Sequence, residues 1–384
     1  MEPLRDDDPR TIGVYTLVCR LGAGGMGQVY LGESPAGQLV AVKVIKPSVL
    51  DEDSRARFLL EVDSLKAVYG QFIASFVAAD AQAERPWLAV DYVPGADLLA
   101  HVAEHGVLPT AEAASLGALL AEGLGTVHEA GLLHRDLKPQ NILLAPTGPK
   151  VIDFGLAVLA ERRSTLTATG VVVGSVLCMP PEQARGEHEL GRPVDVYALG
   201  AVLLYATTGH YPYAGASWQA VALKIEDPAL APDLSGLPPQ LEPVVSAMLA
   251  LDPADRPTLP EVTEQLVGVM AGQGLTAAQG KRRLTELTPE VVPPVTVELP
   301  DHPPGYTATL VDIAAYEDDE APPQPVDAAD DVPEPEEDVP SDAVPPAPGE
   351  PGTSGARARP GVRLSAPLRI AEDLRAAYAS DASF

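Results

Sequence analysis

The sequence predicts an α+β fold in which a small sheet-rich part precedes a larger helical part. Near the amino terminus, alternating or apolar segments are separated by glycine-bearing turns (YTLVCRLG, QVYLGE, LVAVKVI). From Thr110 onward, apolar residues recur at helical spacing. After Gly274 the composition becomes acidic and rich in proline. We therefore expect two packed lobes with a cleft between them, followed by a tail.

The charge and the cysteine content exclude several classes of protein. The chain has 384 residues and a formal net charge of −28, from 26 Lys and Arg against 54 Asp and Glu. Nucleic acids and anionic membranes attract clustered cations, so general affinity for either is not expected. Cys19 and Cys178 are too few for a disulfide framework. The acidic first residues are unlike a signal peptide. These features predict a cytoplasmic protein.

The carboxyl-terminal part has the composition of a disordered segment. Residues 284–356 contain no Lys or Arg and many prolines, and such a segment buries too little apolar surface to fold. Residues 357–384 form a basic stretch with a possible short amphipathic helix, on which Ile370, Leu374, Ala377 and Tyr378 share a face. A partner-docking helix and a frayed, solvated end both remain open.

A glycine-rich turn lies between two of the predicted strands. Gly22, Gly24 and Gly27 form a G-x-G-x-x-G pattern, followed by Val29. Glycines allow backbone amides to approach phosphates closely, because no Cβ intervenes. A dinucleotide-binding fingerprint would open a helix, whereas strands flank this turn on both sides. Dinucleotide binding is therefore a minor alternative.

Lys43 lies inside the predicted strand VAVKVI, where its charge requires an anionic partner. Glu61 is the candidate partner. It lies on an amphipathic helix beside a face formed by Phe58, Val62, Leu65 and Tyr69. The alternative is a solvated lysine on an edge strand.

Two helices are predicted in the second part. Leu116, Leu120, Leu124 and Val127 stack along one helix that Thr110 could cap. Residues 196–222 contain no Asp, Glu, Lys or Arg, but Thr207, Thr208 and Gly209 interrupt the apolar run. A membrane span needs about 20 mostly apolar residues. We expect a buried helix of about four turns rather than a span.

Three oxygen-bearing side chains follow in HRDLKPQN (134–141) and DFG (153–155). Asn141 and Asp153 are hard ligands suited to Mg²⁺ beside a phosphate. Asp136 remains available to orient a hydroxyl group and accept its proton. Each residue alone is a common turn residue. Their joint order favours a phosphate-transfer site.

This combination resembles the protein-kinase signature in its order and spacing, and more narrowly the bacterial eukaryotic-like serine/threonine protein kinases. Pro180-Pro181-Glu182, Asp195 and Arg256 extend the match, and LGAGGMGQVYLG, GLLHRDLKPQNILL and DPADRPT are typical of that group. The resemblance implies a two-lobed kinase fold over residues 12–268, with an N-lobe at 12–93 and a C-lobe at 94–268. Residues 269–283 would be a linker to the disordered, acidic, proline-rich tail.

The resemblance also implies roles for individual residues. Asp136 would be the catalytic base, and Lys138 would neutralise charge on the transferred phosphoryl group. Lys43, held by Glu61, would bind the α- and β-phosphates of ATP. Asn141 and Asp153 would hold Mg²⁺, with Mn²⁺ as a substitute. The implied ATP-binding residues, including the gatekeeper Val90 and the hinge, are Leu21, Gly22, Ala23, Gly24, Gly25, Met26, Gly27, Val29, Ala41, Lys43, Val90, Asp91 and Val93.

Structural and regulatory roles follow from the same resemblance. Glu182 and Arg256 would form a buried ion pair, and Asp195 would support the catalytic loop from beneath. Arg135 would pair with a phosphothreonine of the activation loop. The candidates for that modification are Ser164, Thr165, Thr167 and Thr169, with Thr167 and Thr169 favoured and a solvated threonine cluster as the alternative.

The segment GSVLCMPPE (174–182) departs from the family's usual GTPAYMAPE at Val176, Cys178 and Pro180. Ser175 keeps the hydroxyl that normally bridges the base and Lys138. These departures alter the loop that receives the peptide, so substrate preference does not carry over. Cys178 is either a redox-sensitive thiol or, more simply, a small apolar replacement for tyrosine.

Three functional hypotheses follow. The first is an active serine/threonine kinase that uses ATP and protein substrates and autophosphorylates through a transient dimer. The second is a pseudokinase-like nucleotide-binding scaffold. The third, a small-molecule phosphotransferase, is disfavoured by the peptide-receiving loop. Candidate autophosphorylation sites near and in the tail are Thr285, Thr288, Thr307 and Thr309.

Overall fold

The protein is represented by a computed structural model. It describes residues 1–24, 27–46, 58, 62, 65–153, 176–187 and 189–288, all of which belong to the unit Met1–Asp301. The predicted short helix near Ile370 lies outside these residues.

An antiparallel sheet forms the amino-terminal lobe, as the alternating apolar segments predict. Its strands are β1 (Glu2–Pro3), β2 (Thr11–Ile12), β3 (Tyr15–Ala23), β4 (Gly27–Glu33), β5 (Leu39–Ile45), β6 (Phe76–Asp80) and β7 (Trp87–Asp91). The order is β1-β3-β4-β5-β7-β6, and β2 pairs with β3. Apolar residues cover both faces. One cluster includes Tyr15, Val42 and Trp87, and the other includes Ile45 and Phe58. β5, which carries Lys43, lies between β4 and β7 and is therefore an interior strand.

The second lobe is mainly helical. Its described helices are α1 (Leu98–His105), α2 (Thr110–Glu129), α3 (Pro181–Ala184), α4 (Pro193–Thr208), α5 (Trp218–Glu226), α6 (Glu242–Met248), α7 (Leu259–Gly272) and α8 (Ala277–Glu286). Strands β8 (Ala96–Asp97), β9 (Ile142–Ala145) and β10 (Gly148–Val151) form a small sheet in the order β10-β9-β8. Short 3₁₀ helices occupy Pro139–Asn141 and Pro253–Asp255.

The two predicted helices are present, with one correction. α2 begins at Thr110, but the capping position is Pro109, whose carbonyl accepts the amide of Ala113 at 2.9 Å. Thr110 is therefore the first helical residue and not the cap. α4 ends at Thr208, and Gly209 caps it with a φ of 78°, in the left-handed region that glycine adopts without strain. Among the described residues, no helix is long and apolar enough to cross a membrane.

The segment expected to be a linker, 269–283, is instead structured. It contains the end of α7 and most of α8, and α8 continues to Glu286, past the expected start of the tail. Leu284 is 1 % exposed in the core of the helical lobe, and a Cβ at Gly280 would overlap the sulfur of Met270. The polar composition of α8 gave no sign of this packing, because few of its residues are apolar. Gly280 and Leu284 pack against the lobe, and the Lys281 ammonium lies 5.2 Å from the centre of the Phe72 ring.

We expect Leu284→Ala to destabilise the protein by about 2–5 kcal/mol, because it would leave a cavity in a packed core. Thermal unfolding of the full chain measures this effect. Leu223→Ala is the matched control, since Leu223 is 69 % exposed on α5 and its truncation should cost little. Equal unfolding temperatures for the two variants would show that α8 does not stabilise the lobe.

Candidate active site

The glycine-rich turn forms a closed hairpin between β3 and β4. The amide of Gly24 donates to the carbonyl of Gly27 at 2.9 Å. The Gln28 side chain donates to the carbonyl of Gly22 at 2.5 Å, and the Lys46 ammonium donates to the carbonyl of Gly24 at 3.2 Å. A Cβ at Gly27 would overlap the Val44 carbonyl, so glycine is required there. These bonds hold an amide-rich hairpin above the cleft.

Two further residues of the predicted glycine loop, Gly25 and Met26, lie outside the described residues. The other nucleotide-site candidates of this lobe lie on strands. Leu21, Ala23 and Val29 flank the hairpin on β3 and β4, and Ala41 lies two residues before Lys43 on β5. Leu21, Val29 and Ala41 are half-buried, and Ala23 is exposed.

Lys43 forms an ion pair with Asp153, 110 residues further along the chain. Its ammonium lies 2.8 Å from Asp153 Oδ2, and the Lys43 side chain is 14 % exposed. Burial would raise the pKa of the Asp153 carboxyl, but the charge and hydrogen bond of Lys43, together with smaller effects of His134 and Lys138, lower it. The alternative of a solvated edge-strand lysine is therefore wrong. Glu61 lies outside the described residues, so its pairing with Lys43 stays a prediction.

Asp136, Lys138 and Asn141 lie together in the loop before β9. The Lys138 ammonium is 2.7 Å from Asp136 Oδ2. The Asn141 side-chain amide donates to the Asp136 carbonyl at 2.8 Å and, more weakly, to Asp136 Oδ2 at 3.3 Å. The loop thus presents a carboxylate beside a lysine, with its backbone fixed by Asn141.

Hydrogen bonds join this loop to the segment that carries Asp153. The Ile152 amide donates to the Asn141 carbonyl at 3.0 Å. His134 Nε2 donates to the Ile152 carbonyl at 3.1 Å, and its Nδ1 accepts the Asp136 amide at 3.3 Å, which assigns the proton to Nε2. The structure therefore brings Asp136, Asn141 and Asp153 to one place.

Asp195, near the start of α4, binds the backbone of the loop that carries Asp136. The carboxylate is fully buried and accepts His128 Nε2 at 2.7 Å and the amides of His134 and Arg135 at 2.9 and 2.8 Å. Burial would raise the pKa of Asp195, but these bonds, with His128 first, lower it. Arg135 has a φ of 62°, which is costly for a residue with a side chain. The bonds to Asp195 and Gln183 stabilise this conformation.

Glu182 and Arg256 form the ion pair that the sequence predicts. Arg256 NH1 and NH2 lie 2.6 and 2.8 Å from the two oxygens of Glu182. The guanidinium also donates to the carbonyls of Pro193 and Ala250, and it lies 5.0 Å from the centre of the Tyr197 ring. Both side chains are almost completely buried. This pair connects α3 to the end of the short 3₁₀ helix that precedes α7.

The predicted gatekeeper and hinge lie at the end of β7. The Asp91 amide donates to the Ser75 carbonyl at 2.9 Å, and the Tyr92 amide contacts the Leu39 carbonyl at 3.3 Å. Val93 is buried beside Ala74 and Ala145, with Val90 and Leu143 packed against them. Leu143, which the sequence analysis did not select, thus belongs to the apolar wall of the cleft.

The segment that departs from the family pattern is partly described. Ser164, Thr165, Thr167, Thr169 and Ser175 lie outside the described residues, so their roles stay predictions. Val176 and Cys178 are each 2 % exposed. Burial raises the pKa of the Cys178 thiol, and the nearby Asp136 charge adds to the shift. This environment supports a small apolar role for Cys178 rather than a redox-sensitive one.

We expect neither thiol to react in the folded protein. Burial also raises the pKa of Cys19, so both thiols are protonated and covered. A disulfide reagent at pH 8 should modify Cys19 and Cys178 at least about tenfold more slowly than in the protein unfolded in urea. Intact mass measures the modification. Rapid modification of Cys178 in the native protein would restore the redox hypothesis.

Other contacting residues escaped the sequence analysis. The Lys46 ammonium bonds to the glycine hairpin. The Gln183 side chain bonds to Arg135, and the His128 side chain bonds to Asp195. Of these, only His128 carried a signal, as a histidine within an apolar helix pattern. Asp8, Arg20 and Tyr30 also form a cluster behind the hairpin.

The side chains available for a divalent cation fit Mg²⁺ in part. Among the described residues, no group of three His, Cys, Asp or Glu side chains could hold a metal ion. The side-chain N–H of Asn141 donates to the Asp136 carbonyl, so the side-chain oxygen of Asn141 is not used in that bond. Asp153 and Asn141 therefore offer two hard oxygen ligands. This suits Mg²⁺, which completes its shell with phosphate and water oxygens.

The chain is similar to known proteins over this same region. The family model of the protein kinase domain matches residues 15–267. A probable serine/threonine-protein kinase, PkwA of Thermomonospora curvata, is 44 % identical over 69 % of this chain and 35 % of its own length. The serine/threonine-protein kinase AfsK of Streptomyces coelicolor is 40 % identical over 71 % of this chain and 34 % of its own length. The chain thus spans about a third of the length of these relatives.

A solved structure shows the same fold. The crystal structure of Rad53 residues 1–466 in complex with AMP-PNP matches with a TM-score of 0.55 at 22 % identity. The match covers 66 % of this chain and 64 % of that chain. The two-lobed fold that the sequence predicts is therefore confirmed.

Proposed function

This chain belongs to the protein kinase family, and from that membership we propose that it transfers the γ-phosphoryl group of ATP to serine and threonine hydroxyls of proteins. One observation carries the proposal. Lys43, Asp136, Lys138, Asn141 and Asp153 converge on one cleft, with Lys43 paired to Asp153 and Lys138 paired to Asp136. The serine/threonine specificity rests on the names of the relatives.

The chain's own residues suit this chemistry. Asp136 orients the attacking hydroxyl and accepts its proton, within a loop that Asp195 fixes. Lys138, beside Asp136, stabilises negative charge on the transferred phosphoryl group. Lys43 binds the phosphates that the glycine hairpin covers. Asn141 and Asp153 would hold Mg²⁺, which would neutralise negative charge on the phosphates.

We assign adenine recognition to the hinge around Val93. The amides of Asp91 and Tyr92 already contact the carbonyls of Ser75 and Leu39. Val93 follows directly and lies in the apolar cluster that includes Val90 and Leu143. An adenine ring needs a backbone donor beside an apolar wall, and Val93 offers both.

The remaining parts of the proposal concern regulation and setting. We propose that Arg135 binds a phosphothreonine at Thr165, Thr167 or Thr169 and that a transient dimer of the enzyme places it there. We also propose a bacterial, cytoplasmic setting. This proposal is supported by the bacterial relatives and by the two free, buried cysteines. The proposed reaction also needs ATP, which the cytoplasm supplies.

Intact-mass analysis of the full chain tests the activity. The protein is dephosphorylated and incubated with ATP, Mg²⁺ and a generic protein substrate. An Asp136→Asn preparation made in parallel reports any contaminating kinase. Two further samples replace Mg²⁺ with EDTA or ATP with AMP-PNP. Phosphopeptide analysis then locates each modification, including any at the proposed threonines or in the tail.

We expect phosphate on the enzyme and the substrate only when the wild type is incubated with both ATP and Mg²⁺. Nucleotide binding without transfer to either protein would support the scaffold alternative and overturn the kinase proposal. Equal transfer by the Asp136→Asn preparation would assign the activity to a contaminant. At present no described residue favours the scaffold, because Lys43, Asp136, Asn141 and Asp153 are all in place.

A further inference from the structure

The first twelve residues form part of the small-lobe sheet. β1 pairs with β3, placing Glu2 opposite Arg20 and Pro3 opposite Cys19. β2 also pairs with β3, and Leu4 packs against the apolar cluster on one sheet face. The amino-terminal segment therefore extends the sheet beside the strand that leads into the glycine hairpin.

One carboxylate ties this segment to the hairpin. Asp8 lies between β1 and β2 and is 7 % exposed. It binds Arg20 in a bidentate manner, at 2.6 Å from Nε and 2.5 Å from NH2, and it accepts the Tyr30 hydroxyl at 2.7 Å. The amide of Arg5 donates to the same carboxylate at 2.7 Å. Arg20 keeps the pKa of Asp8 well below its usual range, so Asp8 is ionised at neutral pH.

The Asp8 contacts span both strands of the hairpin at its base. Arg20 on β3 pairs with Tyr30 on β4. The register of the two strands shifts immediately afterwards, between Arg20 and Gly22. A shift of this kind bends a strand and changes the direction in which it continues. Asp8 thus bonds to the last pair of residues before this register shift, which leads into the glycine segment.

Asp8 acts from the face opposite to the cleft. On β4, Val29 pairs with Lys43, whereas Tyr30 pairs with Val42. Successive residues of a strand point to opposite faces. Tyr30 and its partner Asp8 therefore lie on the face away from Lys43. Asp8 cannot touch a nucleotide bound beside Lys43, and any effect on ATP must pass through the hairpin.

We propose that Asp8 is a positioning residue for ATP binding: by holding Arg20 and Tyr30 together, it fixes the direction in which the glycine hairpin leaves the sheet. Without the Asp8 charge, the carboxylate that still pairs with Arg20 among the described residues would be that of Asp7, 3.8 Å away and 86 % exposed. A guanidinium that is 12 % exposed would then move toward water and carry β3 with it. The inference rests on the proposed ATP-dependent function.

The test uses Asp8→Asn in the full chain. We expect the KM for ATP to rise roughly tenfold, with a similar rise in the dissociation constant of the fluorescent nucleotide mant-ADP, and kcat to change by less than about threefold. Asp7→Asn is the matched control, because it removes the same charge from the neighbouring, exposed position. This control should leave both constants within about twofold.

A double-mutant cycle with Arg20→Gln tests whether Asp8 acts through Arg20, and kcat reports any loss of folded protein. If Asp8 acts through Arg20, the double variant should bind mant-ADP no more weakly than either single variant. Independent effects would multiply to roughly a hundredfold and would overturn the proposal. An unchanged KM for ATP in Asp8→Asn would also overturn it. So would a fall in kcat alone, since that indicates a smaller folded fraction.

The binding measurement keeps the two proposals distinguishable. If the wild type bound mant-ADP but transferred no phosphate, the kinase proposal would fail while the effect of Asp8 on nucleotide binding could still be measured. If the wild type were active and Asp8→Asn bound mant-ADP normally, only the Asp8 inference would fail.

Discussion

Replacing Asp136 with asparagine is expected to lower kcat for phosphoryl transfer by about 10²- to 10⁴-fold, the usual contribution of a general base. Asparagine keeps the shape of the side chain but cannot accept the proton of the hydroxyl group. Its amide would also place a donor near the Lys138 ammonium, where Asp136 Oδ2 now lies 2.7 Å away. The bond from the Asn141 side-chain amide to the carbonyl of residue 136 should persist, because it uses only the backbone of residue 136.

Steady-state kinetics with a protein substrate measure this effect, and mant-ADP binding should change by less than about threefold. Asp255→Asn is the control, because this substitution removes the same charge from the C-lobe. Asp255 is exposed in a short 3₁₀ helix. A kcat within tenfold of the wild type for Asp136→Asn would reject Asp136 as the base. Weakened mant-ADP binding would instead indicate that the loop had lost its structure.

Arg256→Met is expected to destabilise the protein by about 3–5 kcal/mol, because it leaves the buried Glu182 carboxylate without its partner. The loss includes the bonds from Arg256 to the carbonyls of Pro193 and Ala250, which connect α4 to the end of α6. The temperature of unfolding should fall by about 6 °C or more, at about 2–4 °C for each kcal/mol in a domain of this size.

Arg185→Met is the matched control for this measurement. Arg185 pairs with Glu187 at 3.5 Å, but both side chains are substantially exposed, so the pair should contribute at most about 1 kcal/mol. The double variant Glu182→Gln with Arg256→Met should lose less than the sum of the two single variants, because it buries no unpaired charge. Similar unfolding temperatures for Arg256→Met and Arg185→Met would contradict a stabilising role.

Features set by neighbouring residues were predicted correctly from the sequence. The glycines between two alternating segments predicted the hairpin, and β3 and β4 flank it. The apolar run ending at Gly209 predicted a buried helix, which α4 is. Strand alternation, helix periodicity and glycine turns depend on residues a few positions apart, so a single chain records them.

Long-range contacts were only partly predicted. The family resemblance suggested the Glu182–Arg256 pair, but periodicity alone could not, since the two residues are 74 positions apart. The Lys43–Asp153 ion pair was not predicted, and Glu61, the partner that the sequence analysis named, lies outside the described residues. The sequence analysis noted only that the first residues are acidic, whereas Asp8 is buried against Arg20 and Tyr30.

The sequence by itself thus determined the order of the elements and the fold family, and it named the candidate residues for the chemistry. Only the tertiary structure decided which charges meet, that α8 belongs to the folded lobe, and that the first twelve residues join the small-lobe sheet. The physical reason is that a buried charge or an apolar side chain is stabilised by whatever the packed chain brings within a few ångströms. That neighbour is fixed by the fold as a whole and not by the adjacent sequence.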